Sequence, residues 1–252
     1  ITLEAESKLI RVRNKVDCRE SHKQLRVEGV AALQALTATY EIQFGVVSRP
    51  THGNTSWDDA QFEVAGHRFA DLSQSDYGLG LVNDCKYGHY IRNNTVDLTL
   101  LRSPKDPDPE ADQGIHEFTY GYYPHSLSWQ ASDLLERSHD LNSPLIVHGA
   151  KATPDLPRAS WFEVAGGTVK IDTVKRAEDG VGLIFRLYET RGTTQKSVVR
   201  FRDAVTSIVE VNLLEENGKA VRGVKSARKE GFASEVALEF GPFQIRSFRV
   251  EF

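Results

Sequence analysis

The chain has 252 residues, a net charge of −4, and 40% hydrophobic and 26% charged residues, with a pI near 6.1. That is enough chain to bury a core without disulfides, as one large all-β domain or two smaller domains. No apolar run is long enough to cross a bilayer as a helix, and no basic field favours phosphate backbones, so neither membrane nor nucleic acid is an expected partner.

Alternation of apolar and polar residues dominates from the start. Ile10, Val12 and Val16, then Tyr40, Ile42 and Phe44, then Val96, Leu98 and Leu100, then Phe118, Tyr120 and Tyr122 each read as one face of a strand. Ser132 to Asn142 breaks this pattern: a capping residue, good helix formers and Leu134, Leu135 and Leu141 near helical spacing predict a short helix. Ala150 to Arg158, with two prolines and little periodicity, reads as a linker. Sheet then resumes with Val169 and Ile171, with Leu183, Phe185 and Leu187, with Ile208, Val209 and Val211, and with Val236, Leu238 and Phe240. In the last strand the apolar phase shifts between Ile245 and Phe248, which predicts a β-bulge near Arg246 and Ser247. The expected organisation is a large sandwich over 1–149, a linker over 150–160 and a small sandwich over 161–252. No repeat period argues for a propeller or solenoid.

Cys18 and Cys85 are too few for a disulfide framework and fit no zinc-finger or CxxC spacing, so they read as buried, reduced thiols. The sequons Asn54-Thr-Ser56 and Asn93-Asn-Thr95 are better explained by chance than by glycosylation. Ile1-Thr-Leu-Glu-Ala-Glu6 forms neither a signal nor a transit peptide, and the chain has no Met. The sequence therefore reads as a piece of a longer polypeptide, or as one whose first part was removed.

Polar and aromatic residues crowd into the run from Arg49 to His125, at strand ends and turns, where something is recognised rather than merely packed. His52, His67, His89, His116 and His125 share it, but no HxH or HExxH occurs, and zinc needs three or four convergent ligands. Ser73, Ser103 and Ser126 lie in no GxSxG elbow. Asp106, Asp108, Glu110 and Asp112 could supply the paired carboxylates of a glycosidase, yet Pro104, Pro107 and Pro109 interleave with them, which favours a stiff, solvated loop. Asp58 and Asp59 follow Trp57 in a turn where Asn and Asp commonly cap their own backbone.

Asn83-Asp-Cys-Lys-Tyr-Gly88 follows an apolar strand and sets Asp84, Lys86 and Tyr87 at its end. Those groups could grip sugar hydroxyls, or form a salt-bridged turn closed by Gly88. Arg102 ends the strand Val96 to Leu101, a place from which a planar five-donor group can reach a ligand or a neighbouring domain's carboxylate. His116 and Glu117 open the next strand. Trp57, Tyr87, Tyr122 and Trp129 could stack on sugar faces, although aromatics in a sandwich more often belong to the core.

Taken together, these blocks resemble the carboxyl-terminal region of class II α-mannosidases, glycoside hydrolase family 38. The resemblance runs through Arg49-Pro-Thr-His52, Asn54-Thr-Ser-Trp-Asp58, Phe62-Glu-Val64, His67-Arg68, Asp71-Leu-Ser73, Asn83-Asp-Cys-Lys-Tyr-Gly88, Leu100-Leu-Arg-Ser-Pro104, Pro107-Asp-Pro109, Asp112-Gln-Gly114, His116-Glu-Phe-Thr-Tyr120 and Pro124-His125, in order. Asp17-Cys-Arg-Glu20 and Ser21-His-Lys23 look like an upstream block, and the likeness continues to Pro242-Phe-Gln-Ile245. It is strongest to the branch with cytosolic and bacterial enzymes, which implies a cytoplasmic location. Cys18 stands where an aromatic is common, and Gly53 and Asp59 sit at variable positions.

The resemblance implies an all-β fold: a large sandwich related to the galactose-mutarotase fold, with upstream strands missing before Ile1, then a smaller one. It implies a parent that hydrolyses non-reducing terminal α-mannosyl residues with retention, through a glycosyl-enzyme intermediate. The nucleophile, the acid/base carboxylate and a divalent metal, usually zinc, would lie in an amino-terminal catalytic domain, leaving no catalytic residue, metal site or cofactor in this chain. The expected partners are that domain and α-mannosides or mannose-containing oligosaccharides, with oligomerisation left open. Arg102 looks like the arginine this region lends to the mannose cleft, with Asp84, Lys86, Tyr87 and His116 as further candidates beside substrate or interface. A free-standing carbohydrate-binding β-domain is the alternative, and a mutarotase-like enzyme using His and Glu rests on fold analogy alone.

Overall fold

The structure, a computed structural model, describes residues 1–146 and 160–252. All of the expected linker except Ser160 lies outside the described residues. The chain divides into two compact units, Ile1–His148 and Gly149–Phe252.

The first unit runs through β1 (Thr2–Leu3), β2 (Ile10–Cys18), β3 (Leu25–Val30), β4 (Thr37–Ile42), β5 (Gly45–Pro50), a one-turn helix α1 (Ser56–Asp59), β6 (Val64–Ala65), β7 (Phe69–Ser73), β8 (Tyr77–Asn83), β9 (Gly88–Arg92), β10 (Thr95–Leu101) and β11 (Gly114–Ser126). A 3-10 turn (Trp129–Ala131) and α2 (Leu134–Asn142) follow. A sheet ordered β1-β2-β11-β8-β7-β4-β5 faces one ordered β3-β10-β9-β6, antiparallel at every pairing. Tyr40, Leu72, Leu81 and Phe118 from the larger sheet meet Ile91, Val96 and Leu98 from the smaller one in a single apolar core.

The larger sheet is covered on its other face as well. There Leu134 of α2 packs over Gly80, where a Cβ would overlap the leucine side chain, and Trp129 lies 6.1 Å from the Phe69 ring. This second cover explains why β7 is buried along almost its whole length instead of alternating. The predicted helix is present, with the Ser132 hydroxyl accepting the N–H of Leu134 at 3.2 Å. The turn after Asn54 closes into α1 through a capping box, Thr55 accepting from Asp58 N–H and Asp58 from Thr55 N–H. Phe44 departs from the expected strand face: β4 ends at Ile42 and Phe44 sits at φ 54° in the turn to β5.

The second unit runs through β12 (Phe162–Ala165), β13 (Val169–Arg176), β14 (Leu183–Glu189), β15 (Gln195–Phe201), β16 (Ser207–Val211), β17 (Lys219–Ala220), β18 (Lys225–Ser226), β19 (Ser234–Phe240) and β20 (Ile245–Glu251). Its sheets are ordered β12-β15-β19-β18 and β13-β14-β20-β16-β17, around Phe185, Leu187, Phe201, Val236, Phe240, Phe248 and Val250. The bulge expected at Arg246 and Ser247 does not occur, because β20 pairs with β14 without interruption from Tyr188↔Ile245 to Leu183↔Val250. The register irregularity lies instead in β13, between Ile171 and Thr173. Ile245 is 36% exposed on the outward face, while Arg246 takes the inward parity. Its guanidinium lies 5.4 Å from the Phe240 ring and 4.9 Å from the Phe248 ring and pairs with Glu210 at 2.5 Å. An arginine at the end of the core face imitates a phase shift in the sequence.

Candidate functional site

The site assembles where β10 ends, beside the start of β11. The β10–β3 ladder loses register between Thr99 and Leu101, and the chain then turns sharply, with Ser103 at φ 45°. Asp112 Oδ2 accepts the backbone N–H of Arg102 at 2.8 Å and that of Ser103 at 3.0 Å. Ser103 is 1% exposed; its carbonyl accepts His22 N–H at 2.8 Å and its hydroxyl meets Cys18 Sγ at 3.3 Å. The Arg102 side chain, by contrast, is exposed, and no hydrogen bond or ion pair joins its guanidinium to the described residues. Beside this turn lies a groove of about 420 Å³ bordered by Asp17, Arg19, Glu20, Lys23, Leu25 and Leu101.

His116 and Lys86 come to the same place. His116 Nε2 donates to the Asp112 carbonyl at 3.1 Å, which fixes the proton on that nitrogen because a carbonyl can only accept. In the turn between β8 and β9, buried Asn83 accepts Lys86 N–H at 2.6 Å and donates to the His67 carbonyl at 2.9 Å. The Lys86 ammonium lies 4.5 Å from the Phe118 ring centre. The N–H groups of Arg102 and Ser103 outweigh desolvation to hold the Asp112 carboxyl below the ordinary carboxylate range, with His116 and Lys86 adding to the effect. Asp84 is spent on the β11 backbone, accepting Thr119 N–H at 2.9 Å. Tyr87, 54% exposed, packs on His67 with ring centres 5.4 Å apart. The structure thus brings Arg102, Lys86 and His116 around Asp112, gives Asp84 to a neighbouring backbone pair, and leaves Tyr87 on His67.

The remaining chemistry-bearing groups are either solvated or held in the body of the fold. Asp106, Asp108 and Glu110 are exposed, and Asp108 accepts Glu110 N–H at 2.9 Å within the loop; Asp112, by contrast, is half-buried and bonds the turn after β10. His125 and Asp71, 3% and 1% exposed, meet at 2.7 Å, and the Ser73 hydroxyl donates to Asp71. A serine that donates to the acid rather than to the histidine is not an activated nucleophile. His89 is fully buried, and burial pushes its pKa down to about 4, so the ring is neutral at pH 7. Cys18 is buried, but Cys85 is exposed, contrary to expectation, and neither is in a disulfide. Desolvation and the Asp84 carboxylate push the Cys85 thiol up to about 11, which keeps it from being a neutral-pH nucleophile. Trp129 belongs to the core, whereas Trp57 is 83% exposed.

A hollow of about 940 Å³ lies at the opposite end of β10, among residues that include Gln34, His52, Gln74, Asn93 and Asn94. The described residues contain no group of three or more His, Cys, Asp or Glu that could hold a metal ion. No helix among them is long and apolar enough to cross a membrane.

Fold and site together define an all-β module of two antiparallel sandwiches, with an exposed, backbone-fixed arginine, Arg102, that has no partner among the described residues. The family model for the glycosyl hydrolases family 38 C-terminal domain matches residues 1–110, and that for the family 38 C-terminal beta sandwich domain matches residues 168–248. The chain belongs to glycoside hydrolase family 38, as its carboxyl-terminal β-sandwich region. It is 40% identical over 252 residues to alpha-mannosidase 2C1 of Homo sapiens, covering 98% of this chain and 24% of that protein. To alpha-mannosidase G of Dictyostelium discoideum it is 37% identical over 243 residues, covering 93% and 21%. It thus spans about a quarter of the length of these relatives. The crystal structure of an alpha-mannosidase from Enterococcus faecalis V583 superposes with a TM-score of 0.75 at 20% identity, covering 97% of this chain and 27% of that one; at that identity the likeness concerns the fold.

Proposed function

We propose that this chain is the non-catalytic carboxyl-terminal part of an α-mannosidase, which packs on a catalytic domain and helps to form its mannose site. Arg102 carries the proposal. An arginine exposed, unpartnered among the described residues and pinned by its backbone to Asp112 is prepared to donate to something outside this chain. A guanidinium stays charged at any working pH and presents five donors in a plane, which suits vicinal sugar hydroxyls or a carboxylate across a domain boundary. Lys86 and His116 add polar groups around Asp112.

On this reading the nucleophile and acid/base carboxylates of a retaining hydrolysis, and the divalent metal, zinc, belong to the catalytic domain. The substrates are α-mannosides or mannose-containing oligosaccharides. A cytoplasmic location is part of the proposal and is supported by two thiols left free, one of them exposed.

The test is turnover of an aryl α-mannoside by the purified 252-residue chain beside the full-length enzyme. The expected result is activity in the full-length enzyme only; turnover by the chain alone would overturn the proposal. Titration of the chain with mannose or mannobiose addresses the free-standing carbohydrate-binding alternative, which saturable binding would favour.

A further inference from the structure

We propose that Asp112 is a positioning residue for Arg102: its carboxylate clamps the Arg102–Ser103 backbone and thereby sets the point from which the guanidinium reaches into the mannose site. The inference rests on the reading of Arg102 given above and adds to it the device that aims the arginine.

One oxygen of Asp112 takes both N–H groups of the turn, at 2.8 and 3.0 Å. Bonds from an ionised acceptor are the stronger kind. The turn needs such a tie, because Ser103 at φ 45° and Asp112 itself at φ 59° occupy the left-handed region that non-glycine residues enter only at a cost. The clamp is anchored in turn. His116, on β11, donates to the Asp112 carbonyl, and Ser103 is held from the other side by His22 N–H and by contact with Cys18. The backbone of Arg102 is therefore fixed by two independent parts of the sandwich while its side chain is left exposed. Asp112 spends its bonding oxygen on these amides, so it acts through Arg102 rather than on substrate. The low carboxyl pKa that these N–H groups impose keeps the clamp ionised at working pH.

The test is a double-mutant cycle in the full-length enzyme, reading kcat/KM on an aryl α-mannoside together with thermal stability. Arg102→Ala and Asp112→Ala are each expected to lower kcat/KM about a hundredfold, since a displacement on the order of 1 Å in a site can cost that much. Adding Asp112→Ala to Arg102→Ala should lower it little further, although stability falls equally in both backgrounds. Asp112→Asn keeps an acceptor oxygen and should recover most of the activity. It also serves if Asp112→Ala does not fold: with the charge gone, the amides of Arg102 and Ser103 should exchange hydrogen about tenfold faster than in the wild type.

Equal losses from Asp112→Ala with and without Arg102 would overturn the proposal, as would unchanged activity in Asp112→Ala or unchanged exchange in Asp112→Asn. Full activity in Arg102→Ala is a different failure: it removes the assigned role of Arg102, and the clamp's function with it.

Discussion

Glu189 is a carboxylate with 0% exposure that accepts the N–H groups of Arg191 at 2.8 Å, Gly192 at 2.7 Å, Thr193 at 3.0 Å and Phe243 at 3.0 Å. Burial alone would raise its pKa, but these donors and the Thr168 hydroxyl outweigh burial and hold it below 4.5. A depressed folded pKa contributes stability above the unfolded value, and that stability is lost as pH falls through the folded value. Glu189→Gln should cost the small sandwich about 2 kcal/mol at pH 7, and chemical denaturation should find the gap between wild type and variant closing as pH falls through the acid range. His125 has the opposite sign. Burial opposes its charge, but the hydrogen bond and charge of Asp71 prevail and raise its pKa above 6.5. Its contribution is fully present below that value and is lost as pH rises through the folded pKa. Thermal melts of wild type and His125→Gln across neutral to alkaline pH should show this loss in the wild type alone. The exposed place of Arg102 just after β10 was legible from the sequence, its role toward a mannose site remaining the proposal made above. The work of Asp112 was not, because its partners are backbone amides nine and ten residues away, in a loop where neighbouring acids are solvated.

Among the elements, strands whose two faces differ were the legible ones: β19, with Val236, Leu238 and Phe240 buried and Ala237 and Glu239 exposed, follows the alternation that predicted it. Legibility failed where a polar residue occupies a core-facing place, as Arg246 does in β20, or where both faces are covered, as in β7. The helix announced itself by a cap and by leucine spacing, but its target could not be read from the sequence. That target is Gly80, where only a missing side chain lets Leu134 close onto the sheet. Gly80→Ala should therefore destabilise the large unit by about 1–3 kcal/mol through overpacking, and Leu134→Ala by about 2–5 kcal/mol through the cavity it leaves. In urea denaturation the double variant should cost less than the sum, because the new methyl fills part of the space vacated by the leucine.

For the whole molecule, two sandwiches and the family were readable from ordered blocks along nearly the entire chain. The proposed packing of this region, a quarter of the length of its relatives, on a catalytic domain would be a matter of surface complementarity, which apolar periodicity does not encode. The central proposal, that a site completed elsewhere borrows a fixed cation from here, is tested most directly by kcat/KM on an α-mannoside for full-length Arg102→Ala and Arg102→Lys. A lysine keeps the charge but not the planar fork, so both variants should lose activity, alanine about a hundredfold and lysine less, with melting temperatures unchanged. Wild-type kcat/KM in Arg102→Ala would contradict the account.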